Sequence, residues 1–178
     1  MDLPTVAVTG SHNLPTPLTR ILGRAELISV IANQISERRF VSIVGPGGIG
    51  KTTIAPAIAN TLTSSYRNGC RFLDLAPLSD PRLVPSAVAV LLGVGANSDN
   101  PIPSLVAFLQ DKQMLIVLDS CEHLIEATAV FAEQLLRGAL GVHILASSRE
   151  PLRAAGEVVR PSPSTCRRVA TCTFRFPS

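Results

Sequence analysis

Apolar residues in this 178-residue chain follow two alternating patterns. Short continuous apolar runs, rich in β-branched residues, are typical of strands that are buried on both faces of a parallel sheet. Longer stretches place their apolar residues three or four positions apart, as amphipathic helices do. The predicted strands are 40–44, 69–75, 114–118, 142–146 and 158–159, and the predicted helices are 24–36, 52–62, 81–92, 103–111 and 122–137. This alternation predicts an α/β fold, a three-layer sandwich with a mainly parallel sheet of about five strands.

The loop between the first strand and the next helix carries the phosphate-binding pattern G-x-x-x-x-G-K-[ST]. Its residues are Gly45, Pro46, Gly47, Gly48, Ile49, Gly50, Lys51 and Thr52, followed by Thr53. Glycines let backbone N–H groups face phosphate oxygens, and the helix N-terminus adds partial positive charge. Lys51 would reach the β- and γ-phosphates, and the Thr52 hydroxyl would ligate Mg²⁺. The loop therefore predicts a P-loop NTPase that binds a nucleoside triphosphate with Mg²⁺, against the alternative of a glycine-rich turn without a ligand.

Charged residues follow two further predicted strands. Asp119 comes directly after the most hydrophobic strand, and Arg149 follows the fourth. Because parallel strands end at one edge of the sheet, both residues are expected near the phosphate loop. Asp119 would hold Mg²⁺ there, or else cap the helix 122–137. Arg149 would stabilise charge on the γ-phosphate, or else be a surface residue paired with Glu150 or Glu157.

Composition narrows the class of protein. A hydrophobic content of 46% with 16% charged residues is typical of one folded domain. No apolar run reaches the roughly 20 residues of a membrane span, and the first residues lack the pattern of a signal peptide. The net charge of +3 comes from four arginines after position 159, and the residues before them comprise 12 basic and 13 acidic ones. We therefore expect a cytoplasmic protein without membrane association or direct nucleic-acid binding.

The two ends of the chain differ in composition from its middle. Residues 1–20 include Pro4, Pro15 and Pro17 and resemble an extended linker in composition. The nucleotide-binding domain is expected at 21–160. Residues 161–178 contain no acidic residue and no clear periodicity, which predicts a disordered basic tail.

Besides the phosphate loop, short motifs occur in a fixed order along the chain. They are HNLP at 12–15, LT at 18–19, GR at 23–24, DLAPLSDP at 74–81, LD at 118–119, CEH at 121–123 and SREPL at 148–152. Together they resemble the STAND class of signalling ATPases, which includes AP-ATPase and NB-ARC-like segments. Within that class they resemble the ATPase segment of bacterial winged-helix transcription regulators. The resemblance extends from about residue 12 to residue 157.

The resemblance implies a switch that alternates between ADP and ATP. Nucleotide exchange would free or assemble a DNA-binding output domain. By the same resemblance Gly23 and Arg24 would lie near the base or ribose, and Arg149 would sense the γ-phosphate. Lys51 and Thr52 would lie at phosphate and magnesium, and Asp119 at magnesium. DNA-binding and sensor domains are expected in full-length relatives and are absent from this chain, which therefore resembles a truncated fragment.

Two features depart from the family pattern. Ser120 stands where related switches often carry a second acid that orients the attacking water. Glu122 is the nearest substitute base, and its alternative role is to stabilise a helix N-terminus. Pro56 lies inside the helix after the phosphate loop, where proline costs roughly 3 kcal/mol, and is expected to kink or weaken it.

Three functions are compatible with the sequence. The first is an ATP/ADP-binding switch module with weak or no hydrolysis. The second is a competent Mg²⁺-dependent ATPase that uses Glu122 as base and Arg149 as electrostatic stabiliser. The third is a non-functional fragment, or a module that binds other proteins through faces covered in full-length relatives. The sequence contains no signal of an oligomeric state.

Overall fold

The fold is a five-stranded parallel sheet with helices on both faces, as described by a computed structural model for residues 13–15, 25–95 and 100–162. The helices are α1 (Ala25–Glu37), α2 (Lys51–Leu62), α3 (Val84–Leu92), α4 (Ile102–Leu109) and α5 (Ile125–Gly138). The strands are β1 (Phe40–Val44), β2 (Cys70–Asp74), β3 (Met114–Asp119), β4 (Val142–Ser148) and β5 (Val158–Pro161). The predicted α/β sandwich is confirmed, and every predicted strand is present.

The strand order places β4 between β1 and β3, although β4 comes after both in the chain. Across the sheet the order is β2-β3-β4-β1-β5, and all neighbouring strands are parallel. Val44 at the end of β1 pairs with Ser148, and Leu118 near the end of β3 pairs with Ala146. The carboxyl end of β4 therefore lies between the phosphate loop and Asp119.

Two hydrophobic clusters fix the helices against the sheet. One face of the sheet packs on α1 and α2 through residues such as Ile31, Ile54 and Ile58. The other face packs on α3, α4 and α5 through residues such as Leu105 and Phe131. The central strand β3 is buried along its whole length, which agrees with its continuous apolar sequence.

Two predicted helices begin differently from the sequence prediction. The helix 81–92 begins with a 3₁₀ turn at Pro81–Leu83, before which the Asp80 carboxylate accepts a hydrogen bond from the Arg82 amide. The helix 122–137 is divided into a 3₁₀ turn at Cys121–His123 and α5. The two are separated by Leu124, whose backbone is not helical, with φ of −131° and ψ of 29°.

Helix α2 continues without interruption through Pro56, although this residue has no N–H to donate to the preceding turn. Pro56 is buried, and most of the surrounding α2 residues pack into the core. Because most helix stability in proteins comes from packing of an apolar face, this burial offsets the missing hydrogen bond.

The last described strand continues past residue 160, where the tail was predicted to begin. Strand β5 includes Pro161, and the Ser162 amide donates to the Val44 carbonyl. The rest of the predicted tail, 163–178, lies outside the described residues. Among the helices that the structure describes, none has the length and apolar character needed to cross a bilayer.

The segment 13–15, predicted as part of a linker, contacts the edge of the sheet. The Asn13 side chain donates through Nδ2 to the Phe72 carbonyl and accepts from the Phe72 amide, both at 2.8 Å. Leu14 packs against the cluster that holds α1 and α2. Because β2 is an edge strand, Asn13 satisfies backbone groups that would otherwise be open to a foreign strand.

We predict that Asn13→Ala lowers the free energy of unfolding by about 1 kcal/mol, because two hydrogen bonds to the β2 backbone are lost. In thermal melting this is a decrease of roughly 2–4 °C for a domain of this size. The matched control is Asn60→Ala, at an exposed position of α2. Equal melting temperatures for Asn13→Ala and the control would contradict the role of Asn13.

Candidate functional site

The phosphate loop, residues 45–50, connects the carboxyl end of β1 to the N-terminus of α2. Gly48 and Gly50 have φ of 78° and 86°, a conformation that is strained for residues with a side chain. A Cβ atom at Gly45 would collide with the Ile49 side chain. The backbone shape of the loop therefore requires glycine at positions 48 and 50.

Lys51 is the first residue of α2 and is 8% exposed. Its ammonium group donates to the Gly45 carbonyl at 2.7 Å and to the Pro46 carbonyl at 2.8 Å. These bonds hold the charge beneath the loop. An ammonium group held in this way could donate instead to the oxygens of an anion bound in the loop.

Asp119 ends β3 and is fully buried. Its Oδ1 accepts a hydrogen bond from the Ser147 hydroxyl, and its Oδ2 has no partner among the described residues. The helix-capping alternative is wrong, because the carboxylate accepts no backbone N–H in the described part of the chain. A buried carboxylate oxygen without a partner is costly, so a ligand for it is expected.

Arg149 follows β4 and lies over the phosphate loop. Its Nε is 3.2 Å from Glu122 Oε1, and a Cβ placed on Gly47 would lie 3.4 Å from Nη2. Arg149 is mostly exposed, as the surface alternative expected, but its ion-pair partner is Glu122 and not the predicted Glu150 or Glu157. The Glu157 carboxylate instead accepts hydrogen bonds from the backbone of the segment 152–154, and Arg149 is brought to Glu122 because β4 lies beside β3.

A cavity of about 300 Å³ lies at the carboxyl edge of the sheet, between the phosphate loop and Arg149. Its lining comprises Gly47, Gly48, Gly50, Lys51, Thr52, Ser120, Glu122, Ser147 and Arg149. Its charged lining residues are Lys51, Arg149 and Glu122, two cations and one anion, which leaves a net charge of +1; the buried Asp119 is not part of the lining but is hydrogen-bonded to Ser147, which is. Thr53 is exposed and does not line the cavity, and Gly23 and Arg24 lie outside the described residues.

The oxygen atoms at this site are of the kind that bind Mg²⁺ when it is shared with a phosphate group. Mg²⁺ keeps several waters and takes one or two carboxylate or hydroxyl oxygens plus phosphate oxygens. Thr52 in the cavity lining, and the unpartnered Oδ2 of Asp119 next to Ser147, could supply such oxygens. Within the described residues no group of three or more His, Cys, Asp or Glu side chains is placed to hold a metal ion.

Sequence reasoning did not single out Ser147 as a site residue. It is 1% exposed, its hydroxyl bonds Asp119, and it accepts the Ser120 amide at 3.2 Å. The signal for it is a polar residue inside a buried apolar strand, at the end where β4 passes between the loop and Asp119. That position becomes apparent only once the strand order is known.

A larger apolar groove of about 660 Å³ adjoins the site on the α5 side. Pro85, Ile102, Leu124 and Phe131 contribute to its lining. Glu122 is shared by the linings of both cavities. The groove lacks the phosphate loop and Lys51, so the smaller cavity is the candidate for anion chemistry.

Comparison with known proteins gives relatives among bacterial regulators. The chain is 39% identical over 134 residues to a Mycobacterium tuberculosis protein named "Putative HTH-type transcriptional regulator", covering 73% of this chain and 15% of that protein. An "Uncharacterized protein" of the same organism is 32% identical over 152 residues, covering 85% of this chain and 39% of the relative. This chain thus spans well under half the length of these relatives.

A more distant sequence relative comes from a plant. The chain is 28% identical over 116 residues to "Disease resistance protein TAO1" of Arabidopsis thaliana, covering 59% of this chain and 10% of that protein. No protein-family model matches the chain.

Two solved structures share the fold. One is a Signal Transduction ATPase with Numerous Domains from Pyrococcus horikoshii, which carries a tetratricopeptide repeat sensor. It has a TM-score of 0.61 and 16% identity, and the match covers 83% of this chain and 24% of that one. The other is Cdc6p from Pyrobaculum aerophilum, with a TM-score of 0.57, 12% identity and coverage of 81% and 46%.

Proposed function

This chain has the fold of the P-loop ATPases and resembles their STAND class, and we propose that it is an ATP- and ADP-binding switch module. The observation that carries the proposal is that Lys51, at the end of the phosphate loop, and Arg149, after β4, line one cavity together with Ser147, which is hydrogen-bonded to the buried Asp119 at the end of β3. Each of these residues, taken alone, could have a purely structural role. Together with the phosphate loop they supply a cation for phosphate, an oxygen for Mg²⁺ and a second cation above the loop.

Each residue has a defined role in this proposal. Lys51 leaves the Gly45 and Pro46 carbonyls and donates to the β- and γ-phosphates. Thr52 and Asp119 hold Mg²⁺, which neutralises phosphate charge when bound. Arg149 reaches the γ-phosphate, which distinguishes ATP from ADP. By the family resemblance, Gly23 and Arg24 would lie near the base or ribose.

The relatives support a setting in transcription regulation for this module. The matched protein of Mycobacterium tuberculosis carries the name of an HTH-type regulator, and 85% of its length lies outside the match. We assign DNA binding and signal sensing to such additional domains. The segment itself acts in the cytoplasm, binds nucleotide and makes no direct contact with nucleic acid.

Hydrolysis is at most weak in this proposal. Glu122, the candidate base, is engaged by Arg149, and Ser120 stands where a second acid would orient water. A competent ATPase would instead lose phosphate release in both Glu122→Gln and Arg149→Ala. Equal, low release from the wild type and both variants supports a module that binds without turnover.

We predict that MgATP and MgADP each raise the melting temperature of the full chain. A ligand at a hundredfold excess over its dissociation constant adds about 2.7 kcal/mol, or roughly 5–10 °C for this size. The measurement is thermal melting with and without nucleotide, each with MgCl₂ or EDTA. No shift with either nucleotide would contradict the proposed function and leave the non-functional or protein-binding fragment as the better reading.

A further inference from the structure

Ser147 forms the middle of a hydrogen-bonded chain that ends on the candidate magnesium ligand. The Ser120 amide donates to Ser147 Oγ at 3.2 Å, and the Ser147 hydroxyl donates to Asp119 Oδ1. Ser147 and Asp119 are 1% and 0% exposed. Water therefore cannot easily replace either bond.

The direction of the protons in this chain follows from the groups themselves. A backbone amide can only donate, and a carboxylate can only accept. The Ser147 hydroxyl has one proton. Because the Asp119 carboxylate can only accept, this proton is donated to Asp119 Oδ1, while Ser147 Oγ accepts from the Ser120 amide. Asp119 Oδ2 is left without a partner among the described residues.

The same contact stabilises the backbone at Ser120. This residue has φ of 62°, which is uncommon for a residue with a side chain and needs support from its surroundings. Its amide is held by Ser147 on the neighbouring strand. Ser147 thus fixes both the rotamer of Asp119 and the turn that follows it.

We infer that Ser147 is a positioning residue that orients Asp119 toward Mg²⁺ in the nucleotide site. By occupying Oδ1, it presents Oδ2 as the oxygen available to the metal or its water. This inference rests on the proposed nucleotide binding. Partners of metal ligands outside the coordination shell typically contribute about 10- to 100-fold to metal affinity.

The test is a titration of the full chain with MgCl₂ at fixed ADP, read by thermal melting. For Ser147→Ala we expect the Mg²⁺ concentration for half of the ADP-dependent shift to rise about 10- to 100-fold. The shift with ADP in EDTA should equal that of the wild type, because Lys51 and the loop are intact. Ser147→Thr keeps the hydroxyl and should restore the wild-type Mg²⁺ midpoint.

Ser42→Ala is the matched control. Ser42 is a fully buried serine of β1 in the same sheet, and its hydroxyl has no partner among the described residues. Its removal should leave the Mg²⁺ midpoint unchanged. The melting temperature of each variant without ligand shows whether it is folded.

The outcomes separate the inference from the proposed function. The role of Ser147 alone is overturned if ADP shifts the melting temperature of the wild type but the Mg²⁺ midpoint of folded Ser147→Ala stays within twofold of the wild-type value. An equal change in Ser147→Ala and Ser42→Ala, or a failure of Ser147→Thr to restore the midpoint, also overturns it. Absence of any nucleotide-dependent shift in the wild type overturns the proposed function and this inference together.

Discussion

Lys51→Ala is expected to abolish nucleotide-dependent stabilisation, so that MgATP and MgADP no longer change the melting temperature. The ammonium group makes two hydrogen bonds to loop carbonyls and would transfer them to phosphate. Hydrogen bonds to charged groups contribute about 1.5–3 kcal/mol each. Two such bonds correspond to a loss of affinity of roughly 100-fold or more.

The effect of Lys51→Ala on the fold must be separated from its effect on binding. The aliphatic part of Lys51 is buried with the loop, so Lys51→Met, which keeps a similar unbranched stem, is the second variant. The control is Lys112→Ala, because Lys112 Nζ lies 4.5 Å above the Phe108 ring and outside the lining of the cavity. A nucleotide shift that persists in both Lys51 variants would contradict the assigned site.

Asp119→Asn is expected to stabilise the ligand-free protein while removing the effect of Mg²⁺. The wild-type carboxylate is fully buried with one oxygen unpartnered, and such a group costs about 1–3 kcal/mol. Asparagine keeps the shape and an acceptor for Ser147 but carries no charge to desolvate. We expect the melting temperature without ligand to rise by roughly 2–4 °C per kcal/mol gained.

Opposite changes in stability and metal response distinguish a functional carboxylate from a structural one. Both are measured in one set of melts with ADP and rising MgCl₂. Asp74→Asn is the control, because Asp74 ends β2 directly beside Asp119 in the sheet register but is exposed. A fall in the ligand-free melting temperature of Asp119→Asn, or an unchanged Mg²⁺ response, would contradict the prediction.

The strands and the helices behind them could be predicted because parallel strands and their covering helices have strong local patterns. The run 114–118 is apolar throughout, and β3 is buried throughout. The phosphate loop could also be predicted, because its motif is continuous in the sequence. Placing Asp119 and Arg149 near it needed only the rule that parallel strands end at one edge.

The contacts that refine the site depend on residues distant in sequence, and no local pattern contains them. Arg149 pairs with Glu122, 27 positions earlier, and Ser147 bonds Asp119, 28 positions earlier. Both contacts follow from the insertion of β4 between β1 and β3. Asn13 is a further case, because its partner Phe72 lies 59 positions away.

The strand order also has an evolutionary consequence. The components of the site occur between residues 45 and 149, and they meet only when β4 has paired with both of its neighbours. A gene fragment that carried the phosphate loop alone would transfer no binding site. The shortest gene segment that could carry this site must therefore encode the whole sheet. In agreement with this, the match to the mycobacterial regulator covers 134 residues rather than the loop alone.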